Sequence, residues 1–165
     1  MKPKTVGRSY GGMAAPPPED PAGLLAESII LTLDGEKRVS DVRPGQRIIT
    51  RDSGTSMVKS VTRRQVLCPT VLIRAGSLGD TRPDRDATLP AGQGVLVRDW
   101  RARALFGVQY ALAPASYLVD EEFIRLLAPT LVTLCEIEFD HPHILYVDGL
   151  EVAGHITAAA HAIAA

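Results

Sequence analysis

An all-β fold, a compact assembly of short and mostly antiparallel strands, follows from three features of this sequence. From Leu24 onward the apolar residues recur with a period of two or in short continuous runs. Those runs are rich in Val, Ile and Leu, side chains that suit a pleated, half-buried surface. Turn signals separate them at close intervals. Asp34-Gly35 and Asp148-Gly149 are the strongest, because a two-residue hairpin turn needs positive φ at its centre.

Taken in order, Met1 to Ala22 contains Gly11-Gly12, Pro16-Pro17-Pro18 and Pro21 with few large apolar side chains. Such a segment cannot bury enough surface to offset its ordering entropy, so residues 1–22 are expected to be a disordered arm. No basic residue flanks Pro16 to Pro18, which favours a spacer over a polyproline ligand. Residues 23–155 form the expected domain. Strands are predicted at Ile29–Leu33, Arg47–Thr50, Met57–Val61, Val71–Arg74, Val95–Val97, Leu105–Phe106, Tyr110–Leu112, Leu131–Phe139, Ile144–Val147 and Leu150–Val152. Helix is limited to one or two short turns. Glu121–Leu127 places Phe123, Leu126 and Leu127 on one side, and Tyr117–Val119 adds a turn. Ala75 to Pro90 reads as a polar surface loop. In the tail, residues 156–165, alanine favours helix, but the segment is short enough to fray.

Composition narrows the function classes. No run approaches the roughly 18 apolar residues that cross a bilayer. The N-terminal Lys2, Lys4 and Arg8 are followed by Gly, Ala and Pro instead of an apolar core, so no membrane partner is expected and a cytoplasmic location is the default. Cys68 and Cys135 are too few for a disulfide framework and read as reduced, buried thiols. The net charge is −1, yet residues 37–103 carry 14 Lys/Arg against 6 Asp/Glu, and residues 104–165 carry Arg125 against 8 acidic residues. Only Trp100 could stack on a base within the basic half, which argues against nucleic acid.

The stretch Ile29 to Asp52, a β-run, a tight turn, Asp41-Val42-Arg43-Pro44-Gly45 and a second β-run, resembles the opening of Hint domains, the self-processing modules of hedgehog proteins and inteins. Three further blocks follow in the family's order. Val95 to Ala102 with Ala104 to Gly107 is similar to a "VLVRDWRA…LFG" block of short bacterial Hint proteins, Ala111 to Asp120 to their "VLVPAxxLVDG" block, and Phe139 to Val152 to their closing β-hairpin. Four ordered blocks over about residues 23 to 155 are far more specific than any one of them.

In the active family a Cys or Ser attacks the carbonyl before it, and a His polarises and protonates the scissile amide. The resemblance puts the nucleophile twelve residues before the Gly of the first Asp-Gly turn, which here is Gly23. It matches the family's "Ser-Pro-Gln-His-Arg" to Pro90-Ala91-Gly92-Gln93-Gly94, so Gln93 takes the place of the histidine. The terminal His-Asn pair of inteins is absent, since Ala153-Gly154-His155 follows Val152. Asp140 and His143 survive, and the remnant site is thus Gly23, Gln93, Asp140 and His143. Ser28 is a weak substitute nucleophile, five residues late.

No cofactor is called for: there is no phosphate-binding glycine loop and no Gly-x-Ser-x-Gly elbow. Asp140, His141 and His143 are weak metal candidates, because imidazole and carboxylate suit zinc but nothing specifies a third ligand. The resemblance therefore implies a degenerate, non-cleaving Hint domain acting as a binding or structural module, with an unidentified protein as partner. The alternative is an autoprocessing domain that releases its own arm by an N–O or N–S acyl shift.

Overall fold

The computed structural model describes residues 21–154 apart from Asp80; most of the predicted arm, and the tail with His155 and His161, lie outside the described residues. The all-β class holds. The strands are β1 (Leu24–Leu25), β2 (Ile29–Thr32), β3 (Gly35–Arg38), β4 (Arg47–Thr50), β5 (Gly54–Met57), β6 (Ser60–Ile73), β7 (Ala87–Pro90), β8 (Gly94–Val97), β9 (Ala111–Pro114), β10 (Ile124–Glu138), β11 (Ile144–Val147) and β12 (Leu150–Ala153). Among the described residues one α-helix, α1 (Trp100–Phe106), joins β8 to β9, and short 3-10 turns span Val39–Asp41 and Ala115–Leu118. No helix among the described residues is long and apolar enough to cross a membrane.

The strands form two sheets. One runs β1-β10-β6-β7; the other runs β3-β2-β4-β11-β12-β8-β9, with β5 beside β4. Every pairing is antiparallel. A single core draws on both sheets, with Val71, Ile73 and Leu89 from the first packed with Ile30, Ile48, Leu145 and Val152 from the second. The closing hairpin β11–β12 lies inside its sheet, between β2 and β4 on one side and β8 on the other. That position explains why Leu145, Val147, Leu150 and Val152 are all buried. Asp148 and Gly149 have φ of 51° and 79°, as the turn chemistry requires. Asp148 also accepts from the Ile29 N–H at 3.0 Å, which ties this turn to β2.

Several predicted elements are corrected. Leu105–Phe106 is not a strand but the end of α1. Asp99 caps the helix by accepting from the Arg101 N–H, and Gly107 ends it in the left-handed region. Glu121–Leu127 is not a helix. The Asp120 carboxylate accepts from the N–H groups of Glu122, Phe123 and Ile124, and this turn delivers Ile124 directly into β10. Phe123, Leu126 and Leu127 are consequently exposed. Met57–Val61 divides between β5 and β6, and β7 occupies the end of the predicted loop. At Asp34-Gly35 the hairpin forms, but Gly35 alone takes positive φ and pairs with Thr32.

The largest departure is the ribbon of β6 and β10, with 14 and 15 residues. Pro69 lies opposite Ala128-Pro129, where the register slips between Leu127 and Thr130. Neither proline can donate to the ladder, so the bulge falls where those bonds are already missing.

Candidate functional site

The loop Pro90–Gly94 connects β7 to β8 and holds the start of the described chain from two sides. The Gly92 N–H donates to the Pro21 carbonyl at 3.2 Å, and the Gln93 Oε1 accepts from the Gly23 N–H at 2.9 Å. The Ala22–Gly23 peptide is thereby clamped. The other end of the same carboxamide donates from Nε2 to the Ala153 carbonyl at 2.7 Å and to the Gly94 carbonyl at 3.2 Å. Gln93 is only 3% exposed, so its bonds are made out of competition with water. Its own N–H and C=O are tied to Pro90 and Ala115, which fixes the side chain's origin.

Gly23 has φ of 143°, a conformation that residues with a Cβ rarely adopt. A Cβ placed there would touch the Leu134 Cβ at 3.4 Å, so space alone does not forbid a side chain. The backbone shape, more than crowding, is what suits glycine. The neighbouring thiol, Cys135, pairs with Leu24 across β1–β10. Burial pushes that thiol above its ordinary value against the opposing pull of Arg63, and it stays protonated near neutral pH.

His143 precedes β11 and is buried. Its Nδ1 lies 2.8 Å from Asp52 Oδ2 and 3.4 Å from Ser53 Oγ, and its ring meets Phe139 edge-on at 5.5 Å. The other Asp52 oxygen accepts from the Ile144 N–H at 2.9 Å, so one carboxylate fixes both the ring and the backbone after it. The Nδ1 edge faces the Asp52 carboxylate, which fixes the ring's orientation. The His143 carbonyl in turn accepts from the Gly154 N–H at 2.9 Å, next to the Ala153 carbonyl that Gln93 holds. Gly23, Gln93, Ala153, Gly154 and His143 thus form one continuous hydrogen-bonded path.

The remaining sequence candidates are placed elsewhere. Asp140 is exposed and paired with Lys59 at 3.3 Å, and His141 is also exposed. Ser28 is buried in the bend before β2, where its backbone bonds to Leu25 and Val39. No described hydrogen bond joins it to Gly23, Gln93 or His143. Among the described residues no three His, Cys, Asp or Glu side chains converge as a metal site, and Asp140, His141 and His143 diverge to separate surroundings. Sequence reasoning missed Asp52, whose pairing with His143 spans 91 positions and leaves no local signal.

Burial alone would raise the Asp52 carboxyl, but the Ile144 N–H and the hydrogen bond from His143 outweigh it and hold the group below its ordinary value. A lowered folded-state value means that stability is fully present above the unfolded carboxyl value of about 3.9 and drains away as pH falls through the folded one. Asp52→Asn is expected to remove that part of the acid sensitivity, as read from urea midpoints between about pH 6 and about pH 2.

Residues 22–157 match the sequence profile of the Hint domain. No curated protein is significantly similar in sequence. In three dimensions the chain is similar to a bacterial intein-like domain from Clostridium thermocellum, with a TM-score of 0.57 at 14% identity, covering 81% of this chain and 99% of that one. It is similar also to a DnaB intein from Synechocystis, with a TM-score of 0.56 at 13% identity, covering 82% and 100% of the two chains. The gp41-1 intein superposes with a TM-score of 0.52 at 12% identity, covering 82% and 99%. At such identities the likeness speaks to the fold alone.

Proposed function

The chain belongs to the Hint domain family, and on that premise we propose that it is a Hint scaffold without self-cleavage, serving as a binding or structural module. The observation that carries this reading is the contact at the Ala22–Gly23 peptide: a carboxamide stands against the Gly23 N–H, and residue 23 has no side chain. An acyl shift needs a nucleophile on the residue after the scissile carbonyl and an acid to protonate the departing nitrogen. Gln93 can accept the amide's hydrogen bond but does not titrate near neutral pH, so it positions the peptide without activating it.

Intact-mass spectrometry of the purified chain tests this. The full-length mass is expected to persist through prolonged incubation with thiol or hydroxylamine. Loss of about 2–3 kDa from the N-terminus, as the added thiol or hydroxylamine cleaves the ester or thioester that an acyl shift forms, would overturn the reading. The competing reading, self-cleavage between residues 22 and 28, draws on the buried Ser28 hydroxyl and requires that Ser28→Ala abolish such a loss. A cytoplasmic location and a bacterial source go with the first reading, and cell fractionation tests the location.

A further inference from the structure

We propose that Arg51, Arg82 and Arg98 form a binding site for a phosphate-class dianion, with Glu151 as its built-in organiser. The site is separate from the Gln93 clamp and stands whether or not the chain cleaves itself. Glu151 projects from β12 with its side chain 6% exposed, and three guanidinium groups from three different segments converge on it. Arg98 follows β8, the strand beside β12, and gives Nε to Oε1 at 3.0 Å. Arg51 follows β4 and gives Nε to Oε2 at 2.9 Å. Arg82 arrives from the loop before β7 and gives Nη1 to Oε1 at 2.9 Å.

One carboxylate is opposed by three cations, a local surplus of two positive charges. Among the described residues no other carboxylate lies within ion-pair distance of any of the three. One arginine suffices to neutralise Glu151; the other two satisfy its remaining lone pairs and carry the surplus positive charge. Both Arg51 and Arg98 spend only their Nε edge on Glu151, and their terminal Nη groups make no described hydrogen bond. Among the described residues the buried Nε of Arg82 has no hydrogen-bond partner. About a third of the Arg51 and Arg98 side chains remains open to solvent, which leaves an approach for a ligand. Free guanidinium donors held in fixed orientation by a shared carboxylate suit a tetrahedral oxyanion, which takes such donors in pairs and would cancel the surplus charge. The uneven basic half of the sequence, residues 37–103, supplies all three arginines.

The test is calorimetric titration of the whole chain with inorganic phosphate against chloride at matched ionic strength, with proton–nitrogen NMR of the arginine Nε–H groups in parallel. Saturable binding is expected, with the Arg51, Arg82 and Arg98 resonances shifting together and sulfate competing. Arg98→Gln and Arg51→Gln should each weaken it about tenfold or more, the loss of one charge-assisted hydrogen bond. The wild-type NMR readout decides even if a variant fails to fold. A parallel titration with phosphoserine separates a free anion, bound equally well, from a phosphoryl group on a partner, bound more tightly. Absence of saturable binding, or shifts confined to other residues, would overturn the proposal.

Discussion

Truncating Glu151 to alanine is expected to lower the free energy of unfolding by about 3 kcal/mol, because removing one member of a buried ionic cluster leaves the others uncompensated. Arg51, Arg82 and Arg98 all bond to this carboxylate at 2.9–3.0 Å, so its loss strands three guanidinium groups at once. The figure sits at the lower end for buried pairs, since Arg51 and Arg98 keep part of their side chains in water and are screened there. Urea unfolding with a constant m value measures it. Adding Arg82→Ala to the alanine variant should restore part of the loss, because Arg82 is the most buried of the three. A change within about 0.5 kcal/mol would instead mark the cluster as an ordinary surface feature.

Gln93→Leu is expected to cost about 2–3 kcal/mol, although leucine keeps a side chain of similar length at the site. The replacement leaves the buried Gly23 N–H and the Ala153 carbonyl without partners, and each group then bears its desolvation cost unrelieved. Amide hydrogen exchange supplies a local signature. The Gly23 N–H should exchange faster in the variant, and so should the Gly92 N–H that holds Pro21. Lost stability with Gly23 protection unchanged would show that the carboxamide does not clamp that peptide. Gln93 therefore has a structural role of its own. It staples the first strand to the last through one buried amide.

Local signals located most of the fold. The two hairpin turns, the β4, β8, β11 and β12 strands and the all-β class were legible because period-two apolar runs and positive-φ turn residues act within a few positions of themselves. Where local signals were ambiguous, the long ribbon decided otherwise. Leu126 and Leu127 have helical spacing with Phe123, yet pairing with Val71 and Thr70 draws them into β10. The helix α1 was readable in principle from Asp99 and Gly107, the caps that bracket it, but its short run of seven residues resembled a strand at Leu105–Phe106.

By itself, the sequence determined that position 23 carries no nucleophile, that position 93 carries no imidazole, and that both belong to a Hint-type order of blocks. Only the tertiary structure decided that these two residues bond to each other across 70 positions, that His143 is held by Asp52 and not by Asp140, and that three arginines gather on Glu151. Those are contacts between residues far apart in the chain. They depend on which strands become neighbours, and no spacing within one segment records that choice.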